Sequence, residues 1–509
     1  MLKLSLPHKM ASIPIWVIFI AATAAFYVLF VVIESSKLIP GLNQAVQSTI
    51  EATSSNAKIL TESSSIAAFI SLFVIVCTGI AGGKLAERFK QAPMLGMLIA
   101  GCLVRNLFPL LIVPIPHSWT TRLWAIALAS VVARAGLSID RHTIHANLTT
   151  TLAVGIIPVC TEAIVLAGLA SIVLKLPIAW AFTLAFGVAS ISPGVVVPLV
   201  LNIAERPEWK TNRLPPLMLA ALGVDVLVST TCFGIALSSA MGHYHEHNDW
   251  IHDAWFTRAL EEIVGGLLAG TCIGFIAYMC MRNQIRDWLS FWVVFACNCI
   301  ATIIGKTNGF TGAASCSTIL TWAIIANSWS RPNIEAADTR LKLIWKAFKP
   351  FLFPVIGASV SFKEMPLYLF TTALLLVTIS VLVKQVSCFW VTRAVNLSDE
   401  EAYFWCGMWT GKASVQATLC GAALELVHHQ GLEGSPQEAH ARVVFCGMIS
   451  AILIGVPFAS GWASSYGPGT SIPMPSTESG LCTTILPVII PSLLSKSERK
   501  TSEDLSLRS

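Results

Sequence analysis

Four charged side chains lie deep inside long apolar runs of the sequence. Two are acids in the first half of the chain, Glu162 and Asp225, and two are bases in the second half, Lys384 and Lys412. If these runs cross a bilayer, each unpaired charge costs on the order of 3 kcal/mol or more. Two acids and two bases predict pairing across a helical bundle, either as buried ion pairs that only fix helix register or as a functional site. Asp225 is the stronger functional candidate, because its short side chain cannot reach the membrane surface from mid-span.

The apolar runs indicate a multi-pass membrane protein. Of the 509 residues, 55% are hydrophobic and only 12% are charged, and the mean hydropathy is +0.70, which excludes an ordinary water-soluble globule. Runs of about 20 apolar residues can cross the hydrocarbon core. We predict an all-α fold with about fourteen such spans, at 12–34, 65–83, 93–115, 121–138, 149–174, 177–201, 214–240, 262–281, 287–304, 310–327, 347–361, 367–390, 402–427 and 442–466.

The distribution of lysine and arginine predicts the orientation of these spans. With the N-terminus inside, twenty of the 33 residues fall on inner segments and eight on outer ones, as the positive-inside rule requires. Both termini are therefore expected in the cytoplasm, and the net charge of +5 reflects topology and not a nucleic-acid partner. Arg105 and Arg134 lie near span ends and are expected to extend to the membrane surface. The sequence contains no ATP-binding motif, so we expect no enzyme, and ion gradients must drive any transport.

Two of the spans contain residues that interrupt helices. The sixth carries Pro193, Gly194 and Pro198, and the thirteenth carries Gly411 and Lys412 at mid-depth. Irregular backbone at that depth is tolerated only where it faces protein or a water-filled cavity, although a kinked packing helix would also explain it. The two spans are seven apart, so spans 3–7 and 10–14 would form two units of opposite orientation. Inverted repeats with broken helices are typical of secondary transporters and predict a cation or proton site next to the acid of span 7.

Two further segments carry less specific signals. The outer loop 241–253 contains His243, His245 and His247, and alternate histidines can bind a transition metal or respond to pH. Most such loops are merely polar, so we expect no resident metal. The tail from residue 469 is rich in Ser, Pro and Thr and is expected to be disordered.

Several segments in a consistent order make the chain similar to a known family. It resembles the animal sodium/proton antiporters of the NHA type, within the cation/proton antiporter superfamily, in the segments "GGKLAERFKQAPMLGMLIAGCLVRN", "SVVARAGLSID", "ISPGVVVPLV", "PPLMLAALGVD", "TCFGIALS", "PFLFPVIGASVS" and "GKASVQA". Proteins of this family are homodimers in which a six-helix core moves up and down past a dimerisation scaffold. The resemblance therefore implies an inverted-repeat antiporter fold with two crossover helices and an elevator-type mechanism.

The resemblance also implies how the chain is divided. Three segments are expected: an N-terminal helix and outer loop at 1–64, the exchanger domain at 65–468 and a cytoplasmic tail at 469–509. Within the exchanger fold, the core would comprise spans at about 149–240 and 367–466, and the scaffold would comprise spans at about 12–138 and 262–361.

Individual residues match the motifs of the family. By the resemblance, Pro193 and its neighbours correspond to the first crossover, and Gly411 and Lys412 correspond to the second. Glu162 and Lys384 match an acid and a base that pair in the core.

One departure concerns the ion-binding acids. The family usually carries two adjacent acids in span 7, whereas here Asp225 takes the first position and Val226 the second, which is the position generally regarded as the ion ligand. A buried carboxylate can hold either a proton or a metal cation but not both, so competition for one site yields exchange. We expect Asp225 to exchange H⁺ for Na⁺, Li⁺ or K⁺ without any cofactor. Hydroxyls of Ser192, Ser229 or Thr230 and backbone carbonyls would supply the remaining oxygen ligands.

Two rival functions stay open because of Val226. The chain could be a proton-coupled carrier of another ion, for example an anion balanced by Lys384 and Lys412. It could also be a transport-inactive paralogue that regulates an active antiporter. Proton movement that depends on a cation, on an anion or on a partner protein separates the three functions.

Overall fold

The computed structural model describes residues 57–89, 92–108, 115, 117–139, 141–204, 213–242, 251–283, 286–361, 365 and 367–465. Several predictions therefore lie outside the described residues. They concern the span at 12–34, the histidines His243, His245 and His247, and the tail from 469.

The described part of the chain is helical and contains no strand. Its seventeen helices are α1 Ala57–Arg88, α2 Pro93–Leu107, α3 His117–Leu137, α4 Arg141–Ala146, α5 Leu148–Val173, α6 Ile178–Ala189, α7 Pro193–Ala204, α8 Leu214–Gly242, α9 Ile251–Arg282, α10 Asp287–Thr307, α11 Thr311–Ser328, α12 Arg331–Ala358, α13 Leu367–Ala394, α14 Asp399–Met408, α15 Ser414–Leu419, α16 Ala422–His429 and α17 Pro436–Ser465.

Eight of the described segments are long and apolar enough to cross a membrane. They are Ala68–Arg88, Leu148–Val173, Ile178–Ala204, Leu214–Met241, Thr257–Arg282, Asp287–Thr307, Tyr368–Ala394 and Pro436–Ala459. Many large apolar side chains point outward from these segments, for example Leu268 and Phe275 on α9 and Ile300 on α10. Outward apolar faces of this kind are expected of a protein surrounded by lipid, because hydrocarbon solvates them.

Helix interruptions occur at both places where the sequence predicts them. In the sixth predicted span, α6 ends at Ala189 and α7 begins at Pro193. Proline is favoured at a first helical position because the N–H that it lacks has no partner there. In the thirteenth predicted span, α14 ends at Met408 and α15 begins at Ser414.

The helices pack in two sets that share a boundary. Helix α5 packs against α6, α8 and α13, while α17 packs against α6 and α13. In the other set, α9 packs against α11, α1 against α2, and α2 against α12. The sets meet where α8 contacts α11 and where α15 contacts α3. Helix α7 packs against α8, and α14 packs against α13 and α17. Both helix interruptions therefore adjoin the first set.

One prediction about a charged residue is wrong. Arg134 was expected to extend to the membrane surface, but it is only 6% exposed. Its Nε lies 3.3 Å from Asp338 Oδ1 on α12, so an ion pair between a buried arginine and a partly exposed aspartate joins α3 to α12. The position of Arg134 near a helix end does not predict this contact, because the partner is about two hundred residues away in the sequence.

Candidate functional site

The four charged residues singled out in the sequence meet at one point. Helices α5, α8 and α13 supply Glu162, Asp225 and Lys384, and the segment between α14 and α15 supplies Lys412. Glu162 Oε2 lies 3.2 Å from Lys384 Nζ and 3.0 Å from Lys412 Nζ. Asp225 Oδ2 lies 3.4 Å from Lys384 Nζ. All four side chains are fully buried, and the two acids balance the two bases when all four are ionised.

The end of α6 provides a second set of partners for the two lysines. A helix end leaves its last four carbonyl groups without intrahelical partners, and these carbonyls attract cations. Lys412 Nζ donates to the carbonyl of Val188 at 2.7 Å, and Lys384 Nζ donates to the carbonyl of Ala189 at 2.5 Å. Each ammonium group therefore contacts both a carboxylate and a carbonyl that has no helical partner at the end of α6.

Gln416 completes the donors at this helix end. Its Nε2 lies 2.6 Å from the carbonyl oxygen of Ser190, 3.2 Å from that of Gly187 and 3.3 Å from that of Val188. The Gln416 side chain is fully buried. Because no water replaces a donor inside the hydrocarbon region, these contacts allow α6 to end within the membrane.

Asp225 is held by two donors of different kinds. The backbone N–H of Ile191 donates to Oδ1 at 2.9 Å, and Lys384 Nζ donates to Oδ2 at 3.4 Å. The N–H is fixed by the backbone between α6 and α7, whereas Lys384 Nζ also contacts Glu162 Oε2 at 3.2 Å. Lys384 thus bridges the two acids.

The two interrupted segments also bond directly to each other. The Ser192 N–H donates to the carbonyl of Gly411 at 2.8 Å, and the Ser414 N–H donates to Ser192 Oγ at 2.8 Å. The Ser192 and Ser414 hydroxyl oxygens lie 2.6 Å apart, and the Gly194 N–H donates to Ser414 Oγ at 3.2 Å. Backbone groups that each break leaves without helical partners are thus satisfied by the other break.

The glycines predicted at the breaks permit this close approach. A Cβ on Gly194 would lie 2.9 Å from Ser414 Oγ, and a Cβ on Gly411 would lie 2.8 Å from Val196 Cγ2. Pro198, in contrast, lies inside α7, which continues to Ala204. The break itself therefore falls before Pro193.

The predicted hydroxyl ligands differ in where they point. Ser192 lies between the two breaks, as described above. Ser229 Oγ donates to the backbone carbonyl of Asp225 at 2.7 Å, and Thr230 Oγ1 donates to that of Val226 at 2.7 Å. These two hydroxyls are directed back into α8. Val226, which stands at the position of the family's second acid, is fully buried.

Several contacts of the site were not predicted from the sequence. They include the contact of Glu162 with a second base, Lys412, and the hydrogen bond from the Ile191 N–H to Asp225. The hydrogen bonds of Ser414 and Gln416 were not predicted either. Ser414 and Gln416 lie in the glycine-containing break "GKASVQA". Polar side chains in the middle of a predicted span were the sequence feature that could have indicated their role. Within the described residues, Glu162 Oε1 and Gln416 Oε1 accept no hydrogen bond, so both can accept one from a ligand.

The described residues were also compared with the ligand sets that bind metal ions. Among the described residues, no group of three or more His, Cys, Asp and Glu could hold a metal ion. The predicted weak candidates His243, His245 and His247 lie outside the described residues.

Comparison with known proteins connects this arrangement to one family. A family profile described as "Sodium/hydrogen exchanger, transmembrane" matches residues 69–460. The chain is 27% identical over 395 residues to sodium/hydrogen exchanger 9B1 of Homo sapiens, covering 76% of this chain and 75% of the relative. It is 29% identical over 413 residues to sodium/hydrogen exchanger 9B2 of Mus musculus, covering 78% and 73%.

A solved structure shares the fold at low sequence identity. The sodium proton antiporter MjNhaP1 from Methanocaldococcus jannaschii superposes with a TM-score of 0.57 at 14% identity, covering 78% of this chain and 97% of that chain.

Proposed function

Since the chain belongs to the sodium/hydrogen exchanger family, we propose that it is a secondary active antiporter that exchanges Na⁺ or Li⁺, with K⁺ as a third candidate substrate, for H⁺. The observation that carries the proposal is the pairing of Asp225 Oδ2 with Lys384 Nζ at 3.4 Å in a fully buried, charge-balanced cluster. The multi-pass, all-helical chain provides the membrane setting that ion exchange requires.

The exchange reaction follows from competition for Asp225. In the ion-free state Lys384 neutralises Asp225. A cation binds when Lys384 releases Asp225 and keeps its existing contact with Glu162, which lies 3.2 Å from Lys384 Nζ. Carbonyls at the end of α6 and the hydroxyls of Ser192, Ser229 or Thr230 would complete an oxygen shell for a hard cation. A proton on Asp225 excludes the cation, so the two ions move in opposite directions when the site alternates between the membrane faces.

The movement that exposes the site to each side is proposed from the arrangement of helices. About fourteen spans would form two inverted repeats, with crossovers at Pro193, Gly194 and Pro198 and at Gly411 and Lys412. The core at about 149–240 and 367–466 would move past the scaffold at about 12–138 and 262–361 as an elevator. The bonds between the two breaks support a core that moves as one body, because they tie its halves together.

The remaining organisation is proposed to follow the same plan. Residues 1–64 would form an N-terminal helix and outer loop, 65–468 the exchanger domain, and 469–509 a cytoplasmic tail. Both termini would be cytoplasmic, and two chains would associate through their scaffolds into a homodimer.

The absence of a second acid supports one alternative more than the other. A buried Val226 beside Asp225 favours a transport-inactive paralogue that regulates an active antiporter, because one possible ligand is missing. An anion carrier is less well supported, since both lysines are already bonded to acids and helix carbonyls.

An ion panel in proteoliposomes tests the proposed function. The purified wild type is reconstituted around a pH-sensitive dye, and sodium, lithium, potassium or chloride gradients are applied. Proton movement opposite to a sodium or lithium gradient is expected. Movement that follows only chloride would establish the anion carrier. A silent wild type that becomes active in Val226→Asp would establish the inactive paralogue.

A further inference from the structure

A second buried ion pair lies away from the central site. Lys306, at the end of α10, places Nζ 3.1 Å from Glu425 Oε2 on α16. The two side chains are only 2% and 8% exposed. A buried charge that loses its ion-pair partner is strongly unfavourable. This contact therefore favours conformations in which α10 and α16 stay together.

An aromatic contact reinforces the pair at the same boundary. Lys306 Nζ lies 5.9 Å from the centroid of the Trp124 ring, within the range of a cation–π contact. Trp124 belongs to α3, and its ring packs directly on the backbone of Gly421, just before α16. A Cβ on Gly421 would lie 1.7 Å from Trp124 Cζ3. Helices α3 and α10 thus hold α16 through one ion pair and one ring.

A cavity of about 270 Å³ adjoins this contact. One side of its wall comes from α2, α3 and α12 through residues that include Arg105, Trp124 and Val355. The opposite side comes from α16 and α17 and includes Glu425 and Phe445. The boundary next to the ion pair therefore contains open space and is not closely packed throughout.

We propose that Lys306 and Glu425 are a positioning pair that latches the core to the scaffold in the conformation of this structure. The proposal rests on the proposed function, in which α3 and α10 belong to the scaffold and α16 belongs to the core. Because movement of the core would carry Glu425 past Lys306, the pair must separate in every transport cycle. Glu425 already lines the adjoining cavity, together with Arg105, His428 and Arg442.

Reversible cross-linking tests whether the pair separates. In Lys306→Cys with Glu425→Cys, a short bifunctional methanethiosulfonate joins the two positions, and sodium-driven proton movement is measured before cross-linking, after it and after reduction. We expect cross-linking to abolish exchange and reduction to restore it. The single variants, treated in the same way, control for reaction of the native cysteines. Among these, Cys420 is close in sequence to Glu425.

A matched pair of the same kind provides the control for cross-linking. Arg134→Cys with Asp338→Cys replaces a partly buried ion pair that joins α3 to α12, both within the proposed scaffold. Cross-linking there should leave exchange unchanged. Unchanged exchange after cross-linking of positions 306 and 425 would overturn the latch while leaving the proposed function intact. A wild type without exchange would overturn the proposed function and the latch together.

Sided kinetics separate a latch from a purely structural pair. Lys306→Gln with Glu425→Gln removes both charges and should shift the half-saturating sodium concentrations at the two membrane faces in opposite directions, by about fivefold. The charge-reversed double variant, Lys306→Glu with Glu425→Lys, should restore the wild-type values. Equal changes at both faces, or no change, would contradict the latch.

Discussion

At the scale of single residues, the proposed exchange depends on which partner Asp225 keeps. Its Oδ1 accepts from the N–H of Ile191, while its Oδ2 faces the ammonium of Lys384, which also contacts Glu162. The sequence predicted that four charges would pair across the bundle, because isolated charges are unfavourable in lipid. It did not predict that Glu162 would contact both lysines. These residues are more than two hundred positions apart in the sequence, so their contact depends on how the helices pack.

Competition at Asp225 predicts how exchange depends on pH. If protons and sodium share this carboxylate, lowering the pH on the sodium side raises the half-saturating sodium concentration, by up to about tenfold for each pH unit, and leaves the maximal rate unchanged. Initial rates of sodium uptake into proteoliposomes at several pH values measure both quantities. If lowering the pH reduced the maximal rate and left the half-saturating sodium concentration unchanged, protons and sodium would bind at separate sites.

The contact between Glu162 and Lys412 predicts a coupled effect on stability. Glu162→Gln leaves two ammonium groups facing Asp225 alone, so we expect a loss of about 3 kcal/mol in the free energy of unfolding. Adding Lys412→Met should recover part of that loss, because it removes the excess charge. Thermal unfolding in detergent of the wild type, both single variants and the double variant measures the coupling. Strictly additive losses would show that the contact at 3.0 Å does not couple the two residues.

At the scale of elements, the end of α6 within the membrane is what makes the site possible. Proline and glycine predicted the two breaks, because each residue type acts on its own backbone. The bonds by which the breaks satisfy each other could not be predicted, since they join Ser192 to Gly411 and Ser414 across the fold.

Removing the amide that caps α6 should weaken the whole core. In Gln416→Leu, the carbonyl of Ser190 loses a donor at 2.6 Å inside the membrane, and we expect a loss of about 1–3 kcal/mol in the free energy of unfolding. The matched control is Gln430→Leu, at an exposed position after α16. Thermal unfolding of both variants measures the difference. Equal effects of the two substitutions would contradict the proposed role of Gln416.

At the scale of the whole molecule, composition was sufficient to predict an all-helical membrane protein. Apolar run length located the eight described segments that are long and apolar enough to cross a membrane, because crossing hydrocarbon imposes a minimum length. Contacts between the two helix sets were not predictable. Arg134 was assigned to the surface, and the pair of Lys306 with Glu425 was missed, since each depends on where distant helices meet.

The predicted topology is testable through glycosylation in mammalian cells. In the predicted orientation, the native sequons at Asn147 and Asn396 would fall on the cytoplasmic side, so they should remain unmodified. Ala45→Thr creates a sequon at Asn43 in the predicted outer loop, and it should be modified. Gel mobility with and without a glycosidase measures each outcome. Modification at Asn147 or Asn396 in the wild type would contradict the orientation.

The most direct test of the central claim compares sodium-driven proton movement in wild type and Asp225→Asn. Both proteins are reconstituted at equal density around a pH-sensitive dye, with Glu261→Gln on the exposed side of α9 as the matched control. Thermal unfolding establishes that each variant is folded. We predict exchange in the wild type and in Glu261→Gln and none in Asp225→Asn. Exchange at the wild-type rate in a folded Asp225→Asn variant would show that another group carries the ions.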